Sequence, residues 1–215
     1  MLSATANRKP LSMRGRSMIA SGALCLLLPL AAIRVPAQNP SSESSTAPRG
    51  WFLAGSKPAN YLAGVDPETT YQGRPSAYLR AKPVATDGFG TLMQSFSAEK
   101  YLAKRVRLTA WVKCDQVNSW AGLWMRVDKG TAMVAFDNMQ NRAINGTKDW
   151  QKYSVVLDVP QDATGIFFGI LLDKGGEVWL NSVQFEVVGT EIPTTGRGPL
   201  TQPQPKGPAN LNFEK

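Results

Sequence analysis

Apolar and polar residues alternate through long stretches of this chain. In KRVRLTAWVKC (104–114), Val106, Leu108, Ala110, Val112 and Cys114 fall on one side, and Arg105, Arg107, Thr109, Trp111 and Lys113 on the other. A period of two is that of a strand with one buried face. WQKYSVVLDV (150–159) repeats it, with Tyr153, Val155, Leu157 and Val159 opposite Lys152, Ser154 and Asp158. TGIFFGILLD (164–173) is apolar on both faces, which suits a central strand covered on both sides. GGEVWLNSVQFEVV (175–188) closes the set, with Val183, Phe185 and Val187 against Gln184 and Glu186. Shorter runs at 50–54, 76–82 and 89–97 read as edge or turn-rich strands. No long window keeps a helical period. Short strands between turn signals predict an all-β fold, a jelly-roll β-sandwich of two antiparallel sheets.

The flanks differ in kind. Residues 1–37 open with Arg8, Lys9, Arg14 and Arg16, continue through the apolar run MIASGALCLLLPLAAI (18–33), and offer small residues at Val35-Pro36-Ala37. That order is the signature of a secretory signal peptide cleaved before Gln38. The apolar run is shorter than the roughly 20 residues of a spanning helix and holds Pro29. A periplasmic or secreted chain without a stable membrane span is therefore expected. Residues 38–49 read as a Ser- and Pro-rich linker, residues 50–189 as the sandwich, and residues 190–215 as a Pro- and Gly-rich tail.

Export changes the charge. The whole chain carries +8, but five of its 24 basic residues and none of its 16 acids lie in residues 1–37. From Gln38 onward the net charge is +3, too mild to point to nucleic acid. Cys114 is then the one remaining cysteine, so no intramolecular disulfide is available, and a thiol on an apolar strand face reads as a small buried hydrophobe.

The candidate site comes from GLWMRVDKGTAMVAFDN (122–138). A two-residue turn at Lys129-Gly130, with Gly130 at positive φ, pairs Asp128 with Thr131. Counting outward, Val127 meets Ala132, Met125 meets Val134 and Leu123 meets Phe136 on a core face. The other face sets Arg126 beside Met133, Trp124 beside Ala135 and Gly122 beside Asp137. An aromatic ring with a guanidinium and a carboxylate close by suits a sugar, whose C–H surface stacks on the ring while charged planar groups hold its hydroxyls. Trp111, on the polar side of its own strand, would extend that platform. The bland alternative is a covered face with Arg126 and Asp137 as an ion pair over Trp124, and Asn138 as a turn cap. Trp120, Trp150 and Trp179 read as core or loop-anchoring rings.

Chemistry is narrowed further by the absence of histidine. Ser-His-Asp and Cys-His catalysis and histidine metal sites are out. Paired carboxylates remain, with Asp128, Asp137, Asp149 and Glu177 as candidates, but these acids stand at turns and strand ends, and no phosphate loop or nucleophile elbow occurs. No catalysis and no cofactor is expected.

The stretch DWQKYSVVLDVPQDATGIFFGILLDKGGEVWLNSVQFEVV (149–188) resembles the C-terminal half of jelly-roll carbohydrate-binding modules and galactose-binding-like domains. It carries Trp150, Tyr153-Ser154 and Val159-Pro160, and in LNSVQFE it has Asn181 and Ser182 where two aspartates usually stand. GWFLAGSKPANYLAGVD (50–66) resembles the start of such a domain, and NLNFE (210–214) its first strand. WMRVD and FDNM also resemble an uncharacterised bacterial domain found appended to regulators or peptidases. The resemblance implies the jelly roll. Some members hold a structural calcium through an aspartate near the last strand; Asn181 departs from that, and no metal is expected. Together these readings make the chain an exported, non-catalytic binding module. Its ligand is a glycan held by Trp124, Arg126, Asp137, Trp111 and Asn138; the alternative is a protein-interaction or structural domain of an extracytoplasmic or regulatory assembly.

Overall fold

The computed structural model describes residues 46–85 and 87–196. Nine antiparallel strands follow in order: β1 (Phe52–Gly55), β2 (Tyr61–Tyr71), β3 (Arg74–Ala81), β4 (Phe89–Ser97), β5 (Lys104–Lys129), β6 (Ala132–Asp137), β7 (Ile144–Val159), β8 (Gly165–Asp173) and β9 (Glu177–Val188). The alternation in KRVRLTAWVKC and that in GLWMRVDK prove to be two halves of one strand, the 26-residue β5.

That strand organises the molecule. Its first half, Lys104 to Asp115, pairs with β7 on one side and β9 on the other. Its second half, Trp120 to Lys129, pairs with β8 and β6. Register shifts between Val112 and Ala121, with Gln116 at φ 49°, bend the strand where it changes partners. Bulges of this kind are how a strand turns a corner from one layer to the next. Layer A thus runs β7-β5-β9-β3-β2 and layer B runs β6-β5-β8-β4-β1, and the two layers of the jelly roll are one continuous sheet folded at β5.

The core lies between them. Val106, Leu108, Ala110, Val112 and Cys114 of layer A are buried there with Leu123, Met125 and Val127 of the same strand and Ile166, Phe168, Ile170 and Leu172 of β8. Cys114 is the buried hydrophobe its position predicts, and burial pushes its thiol pKa up. β8 is apolar on both faces because Leu171 and Phe167 belong to a second cluster, on the outer side of layer B.

The segment after β9 also packs on the sandwich. Arg105 donates to the carbonyls of Thr190 and Ile192, and its guanidinium pairs with Asp158. Thr195 then joins the edge of β7, its N–H bonding Val156 O at 2.9 Å and its hydroxyl accepting Val156 N–H at 2.8 Å. The expected signal peptide and the C-terminal NLNFEK lie outside the described residues.

Candidate functional site

The β5–β6 hairpin corrects the expected register in two steps. The turn residues are Gly130 and Thr131, one position later than expected, with Gly130 at φ 58°. Moving a turn by one residue moves the ladder by two, which leaves the faces unchanged. Lys129 pairs with Ala132 and Asp128 with Met133, but then Val134 bulges out and Val127 pairs with Ala135. That one extra residue exchanges the faces of everything beyond it. Phe136 therefore joins Arg126 on the outer face, and Asp137 moves to the side of Met125.

Asp137 is consequently separated from Trp124 and Arg126. It is 6% exposed. Its carboxylate accepts from both terminal nitrogens of Arg142, from Met139 N–H at 2.8 Å and from the Thr195 hydroxyl. Asn138 caps the following turn, taking Gln140 N–H at 3.2 Å, and its carbonyl packs directly on Gly122, where a Cβ would collide with it. The two residues hold the β6–β7 connection and tie it to the C-terminal segment.

Trp124 does lie on the outer side of layer B, but the residue is only 6% exposed. Its indole N–H donates to Thr91 Oγ1 at 2.8 Å, and Thr91 donates onward to Ile170 O at 2.9 Å. Met93 and Leu171 pack against it, with Ala54, Phe89, Trp120, Phe136 and Phe167 around them. Arg126 lies 4.3 Å above the centre of the Phe167 ring, with Nη2 2.9 Å from Asp128. This face is an apolar surface with Phe52 and Met133 exposed on its two edge strands, β1 and β6.

Trp111 sits on the opposite outer face, that of layer A, so it does not extend a platform begun by Trp124. The tip of the β2–β3 hairpin folds over it. Tyr71 stacks on Trp111 with ring centres 4.6 Å apart and planes at 26°, and Trp150 of β7 leans on Tyr71 at 5.3 Å. Trp150 donates its indole N–H to Thr70 O at 3.1 Å, fastening the hairpin tip to β7. All three rings are half-buried. Lys113 is 3.3 Å from Asp149 beside them.

The rest of this face is firmly braced. Trp179 N–H reaches Asp66 Oδ2 at 2.8 Å. Burial alone would raise the Asp66 pKa, but hydrogen bonds from Thr69, Trp179 and Glu68 outweigh it and hold the carboxyl at about 2. Arg80 stacks over Tyr78 and pairs with Glu177, whose carboxyl is pushed up by burial in spite of that arginine. Asn181 donates its amide to Arg74 O, Pro75 O and Ser76 Oγ. No group of three or more potential metal-ligating side chains occurs among the described residues.

Tyr71 and Trp150 are the ring partners that sequence reasoning missed. The signal for Tyr71 was its place before Gln72-Gly73, a two-residue turn with both φ values positive, but nothing in the pattern says that this tip bends over β5.

Among the described residues, nine antiparallel strands folded into two layers around one core form a jelly-roll β-sandwich. No family model matches the chain. Among curated proteins it is similar to an uncharacterized HTH-type transcriptional regulator, YbfP of Bacillus subtilis (strain 168), at 43% identity over 171 residues, covering 78% of this chain and 57% of that one. The chain therefore spans little more than half the length of that relative. Among solved structures it is similar to the CBM22-1 xylan-binding domain of Paenibacillus barcinonensis Xyn10C, at 18% identity and a TM-score of 0.48 over 68% of this chain and 90% of that one. It is also similar to TmCBM61 in complex with β-1,4-galactotriose, at 12% identity and 0.43 over 65% and 90%. A third is a Stig cyclase, Fisc, from Fischerella sp. TAU, at 15% identity and 0.44 over 67% and 88%.

Proposed function

We propose that this chain is a non-catalytic recognition module that takes a carbohydrate on the outer face of layer A, through Trp111, Tyr71 and Trp150. One observation carries the reading: three half-buried aromatic rings from three strands meet among exposed polar side chains. Aromatic faces and edges of this kind suit the C–H surface of a pyranose, and nearby polar groups suit its hydroxyls. The non-catalytic part is supported by the fate of the four candidate carboxylates. Asp128 pairs with Arg126, Asp137 with Arg142, Asp149 with Lys113 and Glu177 with Arg80, each with its own cation.

Titration of a glycan panel against the protein tests this, with Trp111→Ala and Trp150→Ala as the informative variants. Binding that either change weakens roughly five- to a hundredfold is the expected result, on the scale of the roughly 1–3 kcal/mol that a base gains by stacking on an aromatic ring. Binding lost in Arg126→Ala but kept in Trp111→Ala would overturn the assignment. We place the module outside the cytoplasm, with residues 1–37 removed; N-terminal sequencing of the exported protein should begin at Gln38, and a retained Met1 would refute that.

A second reading has its own support. The apolar outer face of layer B, with Phe52 and Met133 exposed, and the likeness to a transcriptional regulator favour a protein-contact module of a regulatory assembly. That reading requires partner binding that Met133→Glu removes and Trp111→Ala leaves intact.

A further inference from the structure

The ring cluster on layer A stands among cations. The ladder sets Lys152 of β7 directly opposite Trp111, and Arg74 of β3 directly opposite Tyr71. Directly paired residues project to the same side, with Cβ atoms about 5 Å apart. Lys152 and Arg74 are both exposed, and neither has an ion-pair partner among the described residues. Lys113, two residues along from Trp111, is already engaged by Asp149. Arg107, further along the same face, is engaged by Glu186. Against Arg74, Lys113 and Lys152 the surroundings of the rings set Asp149 and, in the irregular stretch of β2, Glu68 and the Asp66 carboxylate that Trp179 holds. The charges therefore balance in number, yet Lys152 and Arg74, the two cations that flank the rings, form no ion pair of their own among the described residues.

A neutral sugar does not require that arrangement, because hydroxyl groups are served as well by amides and neutral hydroxyls. An anionic sugar does: its ring stacks on the aromatic cluster while its charged group projects from the rim. Arginine offers a planar fork to a carboxylate or sulfate, and lysine a mobile point charge. We propose that the ligand of this face is an acidic polysaccharide, whose sugar rings bear carboxylate or sulfate groups held by Lys152 and Arg74. The inference rests on the carbohydrate reading above and adds the charge of the sugar to it.

The test uses the full chain and three probes: polygalacturonate, the same polymer fully methyl-esterified, and dextran sulfate. Polygalacturonate or dextran sulfate should bind at least about tenfold more tightly than the neutral ester at low salt, and the gap should shrink near 0.5 M salt, where exposed charges are screened. The stronger of the two identifies the anion as carboxylate or sulfate. Lys152→Ala and Arg74→Ala should each weaken that binding about two- to fivefold, the range for an exposed charge pair, and Trp111→Ala should weaken it further. Equal binding of polygalacturonate and its ester overturns the charge inference and leaves the carbohydrate reading standing. Acidic polymers whose binding survives Trp111→Ala are held by ion exchange alone, which also overturns it. Binding to no polysaccharide, in these probes or the wider panel, removes the carbohydrate reading and this inference together.

Discussion

Replacing Asp137 by alanine separates a structural role from a binding role. The side chain is 5% exposed and faces four donors: two nitrogens of Arg142, Met139 N–H and the Thr195 hydroxyl. Alanine leaves Arg142, itself 31% exposed, without its carboxylate. It also leaves the buried Met139 N–H without an acceptor and frees Thr195 from β6. Losing one partner of a buried pair costs about 3 kcal/mol or more. For a domain of this size each kcal/mol lowers Tm by about 2–4 °C, so the expected drop is roughly 6–12 °C. Asp137→Asn keeps an acceptor for Met139 and Thr195 and loses the charge, so it should cost nearer 1–2 kcal/mol. Thermal unfolding followed by circular dichroism, with urea titration to confirm an unchanged m-value, measures both. A Tm for Asp137→Ala within about 2 °C of the parent protein would refute the structural role and return Asp137 to the ligand face.

Two further outcomes follow from single contacts. Gly122→Ala drives a Cβ into the Asn138 carbonyl, and overpacking of that kind should destabilise by about 1–3 kcal/mol, read as a lower urea midpoint; an unchanged midpoint would show that the connection yields freely. The Asp66 carboxyl falls from the ordinary 3.8 to about 2 in the folded chain. A depressed folded pKa contributes stability that is present above pH 4 and lost as pH falls from about 4 to 2. Urea unfolding between pH 5 and 2 should show that loss in the parent protein and a flatter profile in Asp66→Asn; parallel profiles would sink the attribution.

Much of the fold was legible. The alternation of KRVRLTAWVKC placed Val106, Leu108, Ala110, Val112 and Cys114 in the core, where all five are at most 1% exposed. The double-sided apolarity of β8 marked a strand with apolar clusters on both faces, but the outer cluster is built by its own neighbours in layer B and not by a covering layer. The candidate site was less legible. Arg126 and Trp124 were assigned to the outer side of their strand, where they stand, yet Trp124 is sealed by Met93 and Leu171 from β4 and β8. No local pattern reports what neighbouring strands bring to a ring. The site now proposed for the ligand depends on Tyr71, Trp111 and Trp150, spread over 79 positions of the sequence.

Periodicity settles which side of a strand is apolar, because side chains alternate with the pleat whatever the strand pairs with. It therefore determined the all-β class and most of the core. It cannot register a residue that bulges out of the ladder, and a single one, Val134, was enough to carry Asp137 from the face of Arg126 to that of Met125. Nor can it show that β5 bends through Gln116 and changes partners, so that Trp111 and Trp124, only 13 residues apart in sequence, end on opposite outer faces. Those placements depend on hydrogen-bond pairing between strands distant along the chain, and only the folded sheet supplies it.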